Sequence, residues 1–104
     1  GGFLFISGQT AYDKEKSEVV KGIAGQTRVV LDNIKTLVEE ANLTMNDVVS
    51  LTIFISDLKK DFAEYNEVYR QYFPKDHPSR TTVEAQLARE DLIIEINAIA
   101  YGVK

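Results

Sequence analysis

A run in the middle of the chain, Val48-Val49-Ser50-Leu51-Thr52-Ile53-Phe54-Ile55, leaves few folds open. It is rich in β-branched side chains and poor in helix formers, which predicts a strand. One parity, Val49, Leu51, Ile53 and Ile55, is wholly apolar, while the other mixes Val48 and Phe54 with Ser50 and Thr52. A strand of this kind needs at least partial cover on both faces. Two segments offer cover. From Lys21, the residues Ile23, Thr27, Val30, Leu31, Ile34, Leu37, Val38 and Ala41 recur at three- and four-residue steps, one face of an amphipathic helix that Asn42 can end in the left-handed region. A second helix spans about Asp61 to Phe73, with Phe62, Tyr65, Tyr69 and Phe73 on one stripe and Pro74 as its stop. An aromatic stripe at this spacing reads as core.

The other strands are shorter or carry charge. Phe3-Leu4-Phe5-Ile6 suits a buried strand closing at Ser7-Gly8, Gln9 to Ser17 reads as a loop, and Glu18-Val19-Val20 suits a short edge strand. Beyond a loop from Pro74 to Pro78, which includes His77, come two more runs, Arg80 to Gln86 and Leu92 to Tyr101. The connection Leu87 to Asp91 between them is short enough for a hairpin. The order strand, edge strand, helix, strand, helix, strand, strand makes one α+β domain over residues 1–104. Two helices can cover one face of a four- or five-stranded sheet, while at least two strands are apolar on both faces. A second copy of the chain is the economical cover, so a homo-oligomer is expected.

Composition removes several function classes. There is no cysteine and a single histidine, His77, which excludes disulfides, thiolate chemistry and multi-histidine metal sites. A net charge of −4 with no local basic cluster argues against a nucleic-acid partner, since such binding rests on Lys and Arg facing phosphates. No apolar run reaches the roughly 20 residues of a membrane helix, and GGFLFISG lacks a secretory pattern, so no membrane partner and a cytoplasmic location are expected. The opening Gly-Gly without Met suggests processing, trimming or a fragment.

Chemistry gathers in HPSRTTVEAQLAREDLIIEINAIA, His77 to Ala100. Arg80 follows Pro78-Ser79 at the head of a strand, and its guanidinium fork suits a planar carboxylate. It can equally serve as a cross-strand partner of Glu84, Glu95 or Asp91. Glu95 interrupts Leu92-Ile93-Ile94-Glu95-Ile96, and a carboxylate there needs a partner or a water. It can position or deprotonate that water, or simply occupy a half-exposed strand position. Ser7-Gly8 can offer backbone groups to a ligand or form a plain turn. No phosphate loop, dinucleotide fingerprint, nucleophile elbow or zinc-protease motif is present.

Several runs, in order along nearly the whole chain, carry a family resemblance. They are Phe5-Ile6-Ser7-Gly8-Gln9, Leu31-Asp32-Asn33-Ile34, Asp61-Phe62 with Tyr65-Asn66 and Tyr69, Pro78-Ser79-Arg80-Thr81-Thr82-Val83-Glu84, and Ile94-Glu95-Ile96-Asn97-Ala98-Ile99-Ala100. As a set they resemble the RidA (YjgF/UK114) family of reactive intermediate deaminases. The resemblance implies a chorismate mutase-like fold: a mixed β-sheet with two helices on one face, three subunits packing their sheets into a barrel-like core with ligand clefts between them. It implies hydrolysis of 2-imino acids, such as 2-iminobutanoate and 2-iminopropanoate, to 2-oxo acids and ammonia without metal or bound cofactor.

By the same resemblance Arg80 grips the substrate carboxylate and Glu95 positions the attacking water. Gly8 and Thr82 take pocket positions, the latter often cysteine in relatives. The family usually carries a Gly-Pro-Tyr-Ser-Gln-like segment before the first strand, whose tyrosine lies near the pocket, whereas this chain begins at Gly1-Gly2-Phe3. If that segment is missing, a more open pocket and weaker activity are expected. Two other functions stay open: a non-catalytic trimeric binder or sensor of small carboxylates, for which Glu95 would be dispensable, and the older family label of endoribonuclease or translation inhibitor. The acidic charge balance disfavours the last.

Overall fold

The computed structural model describes residues 2–75 and 78–102, so His77 lies outside the described residues. The elements are β1 (Phe3–Gln9), β2 (Tyr12–Asp13), β3 (Glu18–Val19), α1 (Ile23–Glu40), a 3-10 turn (Met45–Asp47), β4 (Val48–Ile55), α2 (Leu58–Tyr72), β5 (Ser79–Glu84) and β6 (Ile94–Tyr101). The main sheet has the order β1-β6-β4-β5, in which β4 pairs antiparallel with β6 and parallel with β5. The architecture is α+β, two helices on a mixed sheet. Among the described residues no helix is long and apolar enough to cross a membrane.

The expected hairpin of the last two strands does not form. β5 and β6 lie on opposite sides of β4, and the chain between them passes the end of β4, where Ala85 N donates to the Ile55 carbonyl (3.1 Å) and Ser56 N to that of Ile93 (3.1 Å). The physical reason lies in β4 itself. Flanked on both edges, it pairs its backbone groups within the sheet, whereas a β5–β6 hairpin would leave one of its edges open.

Two smaller expectations also change. The stretch read as a loop contains β2, which pairs with β3 in a separate two-stranded ribbon, so Glu18-Val19 is not an edge of the main sheet. In β4 a register shift between Val48 and Ser50 breaks the simple parity, burying Val48 and leaving Val49 exposed. A bulge of this kind sets two residues against one and flips the side that follows.

Leu51, Ile53 and Ile55 of β4 stand in register with Ala98, Ile96 and Ile94 of β6, and all six are buried on the helix-covered face. The α1 stripe closes over them with Ile23, Thr27, Val30, Leu31, Ile34 and Val38 buried, and Asn42 ends the segment at φ 63 as expected. α2 begins three residues earlier than expected, because the Asp57 side chain accepts from Lys60 N and caps it. Of its aromatic stripe Tyr65, Tyr69 and Phe73 are buried, while Phe62 is 40% exposed.

Among the described residues nothing covers the opposite face. Phe3 is 59% exposed, Phe5 72% and Tyr101 49%, and the Phe3 ring packs beside those of Phe5 and Tyr101, with centroids 6.1 and 4.8 Å away. Ile99 and Phe54 share that face by register, joined by Ser50, Thr52, Asn97 and Glu95.

Gln26, only 1% exposed, ties α1 to the segment that enters β6. Its amide nitrogen donates to the carbonyls of Val20 (2.9 Å) and Asp91 (2.7 Å), and its oxygen accepts from Ile93 N (3.0 Å). Replacement by Leu strands these three backbone groups. We expect a loss of roughly 2–4 kcal/mol, since each unsatisfied buried group costs about 1–3 kcal/mol. Thermal unfolding followed by circular dichroism should show a melting temperature at least about 8 °C lower.

Candidate active site

The residues singled out by sequence fall into two groups. The first surrounds Arg80. Arg80 stands opposite Leu51 and Thr82 opposite Ile53, which puts both on the helix side of edge strand β5. There α2 presents Tyr65, Asn66 and Tyr69. The Arg80 Nη1 donates to Asn66 Oδ1 (2.7 Å) and Tyr65 OH (3.3 Å), and the guanidinium lies 4.2 Å from the Tyr69 ring centroid and 5.9 Å from that of Tyr65. A cleft of about 440 Å³ opens beside it, lined by Asn66, Tyr69, Arg70, Pro78 and Arg80.

None of the three carboxylates considered as partners holds Arg80. Asp91 is taken bidentately by Arg89 (3.0 and 2.9 Å), and Glu84 Oε1 accepts from Leu58 N (3.0 Å) at the start of α2. Glu95 lies elsewhere. The α2 side chains that bond or stack on Arg80 are neutral as well. Burial pushes the Tyr65 phenol above its ordinary value, with Thr82 and Arg80 opposing, and burial pushes Tyr69 up to about 12. Both rings therefore stay protonated at neutral pH. They orient the guanidinium without neutralising it, through hydrogen bonding and cation–π attraction.

The second group lies on the uncovered face. Glu95 pairs in register with Phe54 and is half-buried. Gly8 sits beside it: a Cβ added there would meet Glu95 Oε2 at 3.5 Å. Gly8 N donates to Asn97 Oδ1 within a register shift of β1 between Ile6 and Gln9, at a φ of 27° that suits glycine. Among the described residues no donor bonds the Glu95 carboxylate. The strand thus runs to Gln9, past the stop expected at Ser7-Gly8.

Register fixes the separation of the two groups. Arg80 lies opposite Leu51, which lies opposite Ala98, so Arg80 and Glu95 differ by two strands and three residues, on opposite faces. Standard strand spacings make this roughly 14 Å between backbones. Within one chain Arg80 joins Thr82, and Glu95 joins Gly8, but the two pairs do not meet. Sequence reasoning undervalued Tyr65 and Tyr69, read as core, and did not single out Asn97. The tyrosines are both core and platform, and their spacing carried only the first role. Among the described residues no three His, Cys, Asp or Glu side chains gather as a metal site would require.

With that geometry fixed, the chain can be set beside known proteins. The profile of the family described as endoribonuclease L-PSP, also called YjgF/RidA, matches residues 1–102. The chain belongs to this family. It is 48% identical over 102 residues to a RutC family protein of Pyrococcus horikoshii, covering 97% of this chain and 80% of that one. It is 37% identical over 103 residues to TdcF of Escherichia coli, which carries the name reactive intermediate deaminase, covering 96% of this chain and 79% of that one. Among solved YjgF/RidA structures, the E. coli YjgF gene product superposes with a TM-score of 0.86 at 39% identity, covering 96% and 80% of the two chains. E. coli TdcF with bound serine superposes with a TM-score of 0.87 at 37% identity, over the same shares.

Arg80→Ala separates the two readings of this arginine. With no carboxylate to strand, its loss removes cation–π contacts with two rings and hydrogen bonds to neutral groups at the protein surface, so unfolding free energy should change by less than about 1 kcal/mol. A fall of about 3–5 kcal/mol in denaturant titration, the cost of breaking a buried ion pair, would return it to a structural role.

Proposed function

We propose that this YjgF/RidA protein hydrolyses 2-imino acids, such as 2-iminobutanoate and 2-iminopropanoate, to 2-oxo acids and ammonia in clefts between copies of the chain. The observation that carries the reading is Arg80: a guanidinium oriented by Tyr65, Asn66 and Tyr69, open to a cleft, with neutral partners. A ligand carboxylate is the complement such a fork lacks. The name of TdcF supports the reaction class, and the serine bound in its structure carries its carboxylate on the carbon that bears the nitrogen, as a 2-imino acid does.

The chemistry asks for position more than force. Arg80 holds the substrate carboxylate, which fixes the adjacent imine carbon. Glu95 takes a proton from a water as its oxygen bonds to that carbon, giving a carbinolamine. The proton passes from Glu95 to the nitrogen, the C–N bond breaks with its electron pair leaving on ammonia as the hydroxyl gives its proton back to Glu95, and the 2-oxo acid remains. A protonated imine is already electrophilic, so orientation and one general base account for most of the gain. Thr82 beside Tyr65 and Gly8 beside Glu95 serve as pocket walls, the glycine keeping space next to the carboxylate.

Because Arg80 and Glu95 lie on opposite faces, a complete site needs two copies. The exposed patch of Phe3, Phe5 and Tyr101 supports their association, since burying it against a neighbour removes three aromatic rings from water. A homotrimer is the arrangement we propose. Static light scattering should give three times the chain mass at micromolar concentration, and a stable monomer would contradict it.

An assay coupling an amino-acid dehydratase to 2-oxo acid release tests the reaction. Addition of this protein should speed release. Glu95→Gln should reduce the effect by roughly 10²–10⁴-fold, the usual worth of a general base. Arg80→Ala should reduce it at least about tenfold, and Arg80→Lys should restore it only in part, because an ammonium lacks the fork. An unchanged rate in Glu95→Gln would favour a carboxylate binder without catalysis.

A further inference from the structure

The cleft beside Arg80 contains a second guanidinium. Arg70 follows Tyr69, the ring under Arg80, so the last turn of α2 brings an aromatic platform and a further cation to one opening. Elsewhere the chain pairs an arginine with a carboxylate, as Arg89 on Asp91 shows. Among the described residues neither Arg70 nor Arg80 has a carboxylate partner. Arg80 commits only Nη1, to Asn66 and Tyr65, and its other nitrogens form no bond among the described residues. Two like charges in one cleft repel, an arrangement relieved when a ligand brings an anion for each.

We propose that Arg70 and Arg80 together select a substrate with two anionic groups, a 2-imino acid whose side chain carries a second carboxylate. The inference rests on Arg80 holding the carboxylate next to the imine; Arg70 then meets the one on the side chain. The reacting carbon is unaffected: water adds there, ammonia leaves, and both carboxylates remain. The cleft is therefore a specificity site for acidic side chains in addition to an anchor for the shared carboxylate.

Arg70 also lies where a cation favours the helix dipole. That role alone would alter melting temperature and leave ligand preference untouched, so the test reads preference. Isothermal titration of the full chain with two stable product-like ligands, 2-oxoglutarate and 2-oxobutanoate, gives a ratio of dissociation constants. We expect 2-oxoglutarate to bind at least about tenfold more tightly, the worth of one charged hydrogen bond. Arg70→Gln should cut that ratio at least about tenfold, and Arg70→Lys should retain part of it. Equal affinities in the unaltered protein, or a ratio unchanged by Arg70→Gln, would overturn the proposal. Arg80→Ala provides the control for the underlying reading: it should weaken both ligands. If it weakens both while Arg70→Gln leaves the ratio alone, only the second-anion inference falls. If it weakens neither, both fall.

Discussion

The sheet of this protein has one covered face and one bare one, and most of its other properties follow from that asymmetry. α1 and α2 bury Leu51, Ile53, Ile55, Ile94, Ile96 and Ala98, and the described residues form no further α-helix for the other side. Strand alternation then sends neighbouring side chains into different environments. Arg80 and Thr82 point toward α2, while Glu95 and Asn97 point toward the bare face with Phe3, Phe5 and Tyr101. A parity rule worth nothing energetically decides which groups can meet within one chain. It also leaves exposed aromatic surface of the kind that draws chains together.

Arg80 shows how the fold keeps a charge available. Tyr65 and Tyr69 fill the core beneath the sheet edge, and the faces and hydroxyl they turn outward hold the guanidinium in place. Their burial keeps the phenols neutral, so they orient the cation and leave its charge unneutralised. Packing and the orientation of Arg80 are thus carried by the same side chains. On the far side, the irregular register of β1 brings the Gly8 backbone next to Glu95, and Gln26 anchors the chain just before β6 begins.

Much of this was legible in the sequence, and the rest was not for definable reasons. Helical period predicted α1 and α2, and the Val48–Ile55 run announced the central strand, because periodicity is a local property that one face of burial imprints. The shortage of helices foretold the bare face. Strand order was not legible: β5 and β6 are close in sequence and read as a hairpin, yet pairing is settled by what β4 needs on both edges. Gln26 was not singled out, since two of its three bonds reach the backbone of Asp91 and Ile93, far away in sequence. Arg80 and Glu95 were both found as candidates, but their placement on opposite faces required the register of β4 between them.

The central claim is that these two residues act in one site only when they come from different copies. Coexpression of Arg80→Ala and Glu95→Gln chains, each with its own affinity tag, allows isolation of mixed assemblies by tandem purification, followed by the imine hydrolysis assay. In the proposed trimer each site takes Arg80 from one copy and Glu95 from the next, so every mixed trimer of two inactive chains should hold one intact site in three, roughly a third of the sites. Mixed assemblies no more active than either parent would contradict the account.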